Sequence, residues 1–485
     1  MFERRDVWEL GTEEDPWHPI IEWYARAVTA MQERNGMDFS DPTCWRYLAE
    51  VHGSSIPRGD WPRGATWNEC QHSSWYFLPW HRIYLHYFER VVRQTVSTLG
   101  GPDDWALPYW NYSDPRRPSV RRLPAAFREP QMPSGEPNPL FVSQRSQSNP
   151  AINGGEEVDL EDVDIGAAMA EMHFSEPTGD PSFAGFGGPV TGFSHSGGSV
   201  GSLENIPHGM VHVEVGGIQP RGWMSSFATA GRDPIFWLHH ANIDRLWKVW
   251  LNQGSRVNPP DTRWLDMSFT IGSGASATTL AVRDVLDTTQ SPLNYHYTDE
   301  SPLVLEPAIA AAASAAGSPS EEERMPEDIV PEMVGASDEG VPLAATSTEV
   351  EVAVEAPSGP AFAAAAESAQ PRKVYLKVEN VRGEELAASS YLVHVDLPPG
   401  ANPAEYEDRR AGKVSMFGVL EASQSDEEHS GSGLTFSFDI TGVVERLQEA
   451  GEWDPEHLRV TFTPVHASEE QTGNVSAGRV SLFYA

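Results

Sequence analysis

Residues 70–90 read CQHSSWYFLPWHRIYLHYFER. The apolar spacing from Trp75 to Leu99 predicts one long, aromatic-rich helix. Pro79 and Trp80 stand just ahead of His81, which opens the regular part of that helix. His72 falls near the end of the preceding loop, and Glu89 follows His81 by about two turns on the same face. A helix this apolar is buried. A histidine at its start is therefore either a packed core residue or a metal ligand, and the rest of the chain has to decide between the two.

Two further segments bear on that choice. In the stretch ENIPHGMVH, residues 204–212, His208 and His212 are spaced i, i+4, so both imidazoles share one helical face and can grip one metal. Zinc peptidases use the same spacing with Glu after the first His. Here Gly209 takes that place, which removes the general base and argues against a hydrolase. In GRDPIFWLHHANIDRLW, residues 231–247, Asp233-Pro234 signals the start of a helix that runs from Ile235 to Leu251. His240 and Asp244 are again one turn apart, and an Asp so placed can fix an imidazole tautomer. The plain alternative is a buried helix whose histidines pack. Upstream, His52 sits near a helix end in LAEVHG, residues 48–53.

These segments resemble the CuA and CuB signatures of the tyrosinase, catechol oxidase and haemocyanin superfamily of type-3 copper proteins. QHSSWYFLPWHRIYLHYFER is most similar to the CuA block of plant polyphenol oxidases. ENIPHGMVHVEVGG and GRDPIFWLHHANIDRLW resemble the CuB block. The resemblance implies two copper ions, CuA on His52, His72 and His81, and CuB on His208, His212 and His240. Three neutral imidazoles per ion suit copper and leave room for oxygen. His240 is preferred to His239 because only His240 lies one turn before Asp244, which then acts behind the ligand. His239 is expected to face elsewhere, toward the substrate mouth. His86, His173 and His195 are left outside the ligand set.

The same resemblance assigns further roles. In fungal tyrosinases and molluscan haemocyanins a Cys-x-His at this position forms a thioether to the second CuA histidine, and Cys70-Gln71-His72 has that spacing. The plain readings of Cys70 are a buried thiol or a disulfide with Cys44. Glu204 corresponds to an acid that orients a water able to deprotonate a phenol; read plainly, it is a helix-entry charge. Phe227 matches the bulky gate that plant enzymes place over CuA; read plainly, it is core. Tyrosinases that hydroxylate monophenols often carry Asn directly after the first CuB ligand. Gly209 departs from that pattern and points to diphenol oxidation with weak or absent monophenol hydroxylation. The implied fold is a mainly α catalytic domain, a four-helix bundle around the dinuclear copper site, followed by a small β-rich domain.

Composition sets the organisation. The chain has 485 residues, 39% hydrophobic, with 16 Trp that mostly precede residue 270, so the larger core lies in the N-terminal part. Residues 1–300 read as the catalytic domain, closed by Tyr295-His296-Tyr297, which resembles the Tyr-x-Tyr motif at the end of the plant catalytic domain. Within it Gly179 to Gly201 reads as loop. Residues 301–370 are acidic and rich in Ala, Glu and Pro, and read as a largely disordered linker. Residues 371–485 alternate with period two from Lys373 onward, with one helix near Val443 to Ala450. This part resembles the C-terminal domain of latent plant polyphenol oxidases, which implies a shield over the copper mouth and an activating protease as a partner.

The formal charge of -36 argues against nucleic acid and anionic membranes as partners. Two cysteines make no disulfide framework. The opening residues MFERRDVWEL hold no apolar leader, so a cytoplasmic protein is expected unless a partner protein exports it. The expected activity is oxidation of o-diphenols to o-quinones with O2. The rivals are an o-aminophenol oxidase and a haemocyanin-like oxygen carrier.

Overall fold

The computed structural model describes the chain except residues 37–38, 149, 177–182, 195–196, 303–330, 355–372, 426–430, 455, 468–472 and 485. It divides into two compact units. The first holds Met1–Gln71, Trp75–Phe174 and the chain from Ile206 to the acidic segment. The second holds His72–Ser74, Ser175–Asn205 and the C-terminal chain.

The first unit is built on helices α1 (Pro19–Glu33), α2 (Trp45–His52), α3 (Phe77–Thr98), α4 (Met210–Gly216) and α5 (Pro234–Leu251). Helix α1 packs on α2 and α3, and α3 packs on α5. The α3–α5 contact is aromatic, with Phe88 stacked on Trp237 at 3.5 Å between ring centroids. Asp233 caps α5 by accepting from the Ile235 backbone N–H at 3.1 Å, with Pro234 at the first helical position. Arg145 grips both oxygens of that cap at 2.8 and 2.7 Å, and both side chains are fully buried. The start of α5 is thus fixed by charge as well as by local sequence. At the chain's beginning, Phe2–Arg4 pairs in parallel with Tyr295–Tyr297. This carries Arg4 and the two tyrosines into the base of the helical core.

The second unit is a nine-stranded sheet of β1 (Gly198–Ser199), β2 (Glu332–Ala336), β3 (Thr348–Val354), β4 (Val374–Val381), β5 (Ser390–Val395), β6 (Arg410–Ser415), β7 (Leu434–Asp439), β8 (His457–Val465) and β9 (Arg479–Tyr484). The spatial order is β6-β5-β8-β3-β2-β9-β4-β7-β1. All pairings are antiparallel except the short β7–β1 contact. Helix α6 (Thr441–Ala450) buries Val443, Val444 and Leu447 and stops at Gly451, whose φ of 71° is the left-handed conformation glycine adopts freely. Asn205 is joined to the edge strand β6. Its side-chain amide donates to Lys413 O at 2.8 Å and accepts from Ser415 N at 3.2 Å.

Two expectations change. The linker read over residues 301–370 fails for 331–354, where β2 and β3 are central strands. Its acidic, Ala-rich composition hid a period-two run, Thr348 to Val354, whose Val352 and Val354 are buried while Glu351 and Ala353 face out. Residues 303–330 and 355–370 of that linker lie outside the described residues. The loop read from Gly179 to Gly201 ends in a strand, β1, held by β7. Its residues 179–182 and 195–196 are likewise outside the described set.

Candidate metal centre

Every expected ligand is buried. The ligand atoms of His52, His72 and His81 lie within 4.8 Å of one another, and those of His208, His212, His239 and His240 form a second such group. The two groups adjoin: the His81 and His240 rings stack with centroids 4.4 Å apart and planes 5° apart. Within the second group, Nε2 of His212 and Nε2 of His240 converge to 3.4 Å.

Backbone carbonyls orient three of the rings. His52 Nδ1 meets Phe227 O at 3.0 Å, His81 Nδ1 meets Phe77 O at 2.8 Å and His212 Nδ1 meets Met224 O at 2.7 Å. A carbonyl can only accept, so each Nδ1 carries the proton and each Nε2 keeps its lone pair. That is the tautomer a metal requires, and the carbonyls make the ligands more basic and fix their planes. The donor set is imidazole alone, which fits copper.

The approach of α2 to the turn after Ser226 depends on Gly53. A Cβ at that position would lie 2.3 Å from Phe227 O and 2.9 Å from Ala228 N. Phe227 therefore contributes its carbonyl to His52, while its ring stands edge-on to the same imidazole at 5.9 Å.

Asp244 departs from the expectation. It does not support His240. Its Oδ1 accepts from Arg82 at 2.5 Å, and its Oδ2 accepts from Arg4 at 3.4 Å and from the hydroxyls of Tyr295 and Tyr297. Burial by itself would raise this carboxyl, but Arg82 and Arg4 beside it hold it below the usual carboxylate range. Arg4 also pairs with Glu89 at 2.7 Å, again with both groups buried. Two of these partners lie far away in sequence, so one-turn spacing on α5 could not reveal them. His239 differs as well. It stands inside the second imidazole group, with its Nδ1 3.0 Å from the Tyr112 hydroxyl.

Glu204 is buried, and both of its oxygens accept the Ser73 backbone N–H, at 2.9 and 3.0 Å. Burial pushes its carboxyl up to about 8, against the pull of the Ser73 and Gly201 backbone N–H groups. Gly209 lies in the turn just before α4, with ordinary helical φ and ψ. Cys70 and Cys44 are both buried and form no disulfide. The Phe417 ring lies 6.2 Å from that of His72.

Burial drives His81, His212 and His240 well below the ordinary histidine range, and His239 down to about 3. The sign of the consequence is fixed. Above the unfolded value of about 6.5 both states are neutral and stability is full. Below it the unfolded chain takes up protons that the folded chain refuses. Each such histidine then removes up to ~1.4 kcal/mol per pH unit until its folded value is reached. Copper-free protein is expected to unfold at clearly lower urea concentration at pH 5.5 than at pH 7.5. Equal midpoints would mean that the histidines are not buried neutral.

Two adjoining clusters of buried imidazoles, three of whose rings are turned by backbone carbonyls to offer Nε2, define a dinuclear metal centre. A family model described as the common central domain of tyrosinase matches residues 42–253, and one described as a domain of unknown function matches residues 330–485. The chain is 33% identical to a tyrosinase of Hahella sp. (strain CCB-MM4) over 99% of both chains. It is 31% identical to the latent form of a chloroplastic polyphenol oxidase of Prunus armeniaca, over 57% of this chain and 46% of that one. In fold it resembles latent apple tyrosinase, with a TM-score of 0.61 at 23% identity, covering 100% of this chain and 97% of that one. The chain belongs to the tyrosinase family, whose members are oxidoreductases with a dinuclear copper site. It therefore oxidises phenols with copper, and its structure pairs an α-helical unit with a C-terminal β unit. Among the described residues no helix is long and apolar enough to cross a membrane.

Proposed function

We propose that the chain oxidises o-diphenols to o-quinones with molecular oxygen and hydroxylates monophenols weakly or not at all. In this reading His52, His72 and His81 hold one copper, and His208, His212 and His240 hold the other. The observation that carries it is the pair of adjoining buried imidazole clusters. Copper, when bound, takes two electrons from the phenol and passes them to oxygen. The protein's part is to hold the rings, keep water out and accept the phenol's protons.

Glu204 is the candidate base, its oxygens held by the Ser73 N–H; with its carboxyl pushed up to about 8, it takes the phenol's proton as the pH nears that value. Gly209 offers no side chain to share in that task, which favours diphenols that ionise more readily. The Phe227 ring, packed against His52, serves as the gate over the first copper. In the helical unit the ligand-bearing helices form the family's four-helix bundle.

The chain is latent in this reading. Phe417 stands against the ring of His72, and Asn205, next to Glu204, is tied to β6 at Lys413 and Ser415. An activating protease would release this hold by cutting the acidic segment between residues 303 and 330. One experiment tests activity and latency together: rates on catechol, tyrosine and o-aminophenol with copper-loaded chain, before and after limited proteolysis. Catechol is expected to react fastest, and several-fold faster after cutting. A preference for o-aminophenol would reassign the enzyme, and an unchanged catechol rate would remove the shield.

Cys70 is the thioether partner of His72. Intact mass is then lower by two hydrogen atoms after reduction, and thiol titration in denaturant finds Cys44 alone. Two titratable thiols would reject the cross-link.

A further inference from the structure

The second imidazole group holds four histidines, one more than the reading above uses. Distance does not separate the adjacent His239 and His240, since the ligand atoms of both lie within the 4.8 Å group. Hydrogen-bond direction separates them. Arg245 donates from its backbone-anchored guanidinium to Asn242 Oδ1 at 3.0 Å, and donates to Asp299 O at 2.8 Å. A guanidinium has no acceptor, so the Asn242 oxygen must face it and the Asn242 nitrogen must face the other way. That nitrogen is buried and has no hydrogen-bond partner among the described residues, so Asn242 presents no free acceptor to the Tyr112 hydroxyl. Among the described residues the one acceptor in reach of the Tyr112 proton is His239 Nδ1, 3.0 Å away, so the hydroxyl donates there.

We propose that Tyr112 is a positioning residue that locks His239 in the tautomer with its proton on Nε2. A protonated Nε2 has no lone pair for a metal. His239 is thereby held off the second copper although it stands among its ligands, and the choice falls on His240. His239 Nε2 is buried and has no hydrogen-bond partner among the described residues, so the lock leaves a buried N–H donor beside the second imidazole group. Such a donor suits a negatively charged oxygen, the form in which a phenol is oxidised. The opposite tautomer would put a proton on Nδ1, leave the Tyr112 proton without an acceptor among the described residues, and add a fourth lone pair to the group. All four residues are buried, so water cannot relay a reversal of the chain.

This inference rests on the copper reading for its function but not for its tautomer. Neutron diffraction from crystals of the full chain exchanged into D2O tests the tautomer on unaltered protein. Deuterium is expected on His239 Nε2 and on the Tyr112 oxygen. Deuterium on His239 Nδ1 would overturn the proposal. Copper content per chain tests the consequence. His240→Ala is expected to hold one copper where the parent holds two, and His240→Ala combined with Tyr112→Phe to regain the second as His239 turns its lone pair inward. Two coppers in His240→Ala alone, or no gain on adding Tyr112→Phe, would overturn the role of Tyr112. A parent chain that binds no copper pair would instead refute the ligand reading and leave the neutron result standing.

Discussion

Asp244→Ala is expected to lower the unfolding free energy by about 3–5 kcal/mol, the cost of removing one partner from a buried ion network. The carboxylate is the only anion on Arg82 among the described residues, and both side chains are almost fully buried. Its loss strands the Arg82 cation in a medium that cannot solvate it, leaves Arg4 with Glu89 as its remaining anion, and orphans the hydroxyls of Tyr295 and Tyr297. The effect reaches the metal centre through covalent neighbours. Arg82 follows His81 on α3, and Asp244 lies one turn beyond His240 on α5. The ion pair therefore cross-links one helix from each imidazole group next to its ligand. Asp244→Asn should recover the tyrosine contacts but not the charge, and fall between alanine and the parent. Arg4→Met should cost less than either, because Arg82 keeps Asp244 and Glu89 keeps Arg93 at 3.2 Å. Urea unfolding of copper-free protein measures all three. An Asp244→Ala protein within about 1 kcal/mol of the parent would show that the network is not load-sharing, as expected only for exposed pairs.

Gly53→Ala is expected to be the most damaging single-methyl change near the centre. At a helix end the substitution ordinarily stabilises by restricting the unfolded chain. Here the new Cβ would meet Phe227 O at 2.3 Å and the carbon of that carbonyl at 2.5 Å, and both are backbone atoms that cannot rotate away. The overpacking costs about 1–3 kcal/mol. The functional loss is larger, because the displaced carbonyl is the one that fixes the His52 tautomer. Disturbing such an outer contact costs ~10–100-fold in metal affinity. Copper titration should show one of the two ions weakened by that factor in Gly53→Ala. Phe227→Leu keeps the carbonyl and should bind both ions normally. Equal copper affinity in Gly53→Ala and the parent would mean that α2 can shift without loss of the His52 contact.

The sequence showed most of the centre because helical spacing is local. His208 and His212, one turn apart, have rings 4.7 Å apart in the fold, and His81 stands in the first turn after Pro79 on the predicted long helix. The period-two pattern that begins at Lys373 became strands, the first of them β4 from Val374. Strands β2 and β3 were missed because their alternation is short and is embedded in a composition typical of linkers. Spacing failed where a residue's partners come from elsewhere in the chain. Asp244 sits one turn from His240, yet a carboxylate goes to the strongest donors in reach, and those are Arg82, 162 residues away, and Arg4, 240 residues away.

By itself, then, the sequence determined which histidines are paired on a helical face and where most of the helices and strands lie, because those properties follow from periodicities of a few residues; copper entered through the resemblance of its histidine motifs to the type-3 copper proteins. The tertiary structure decided how each ring is turned, what Asp244 does and why His239 and His240, neighbours in the chain, differ. A hydrogen bond's direction depends on which groups meet, and here the groups that meet, Phe227 with His52, Tyr112 with His239, Arg4 with Asp244, lie more than a hundred residues apart.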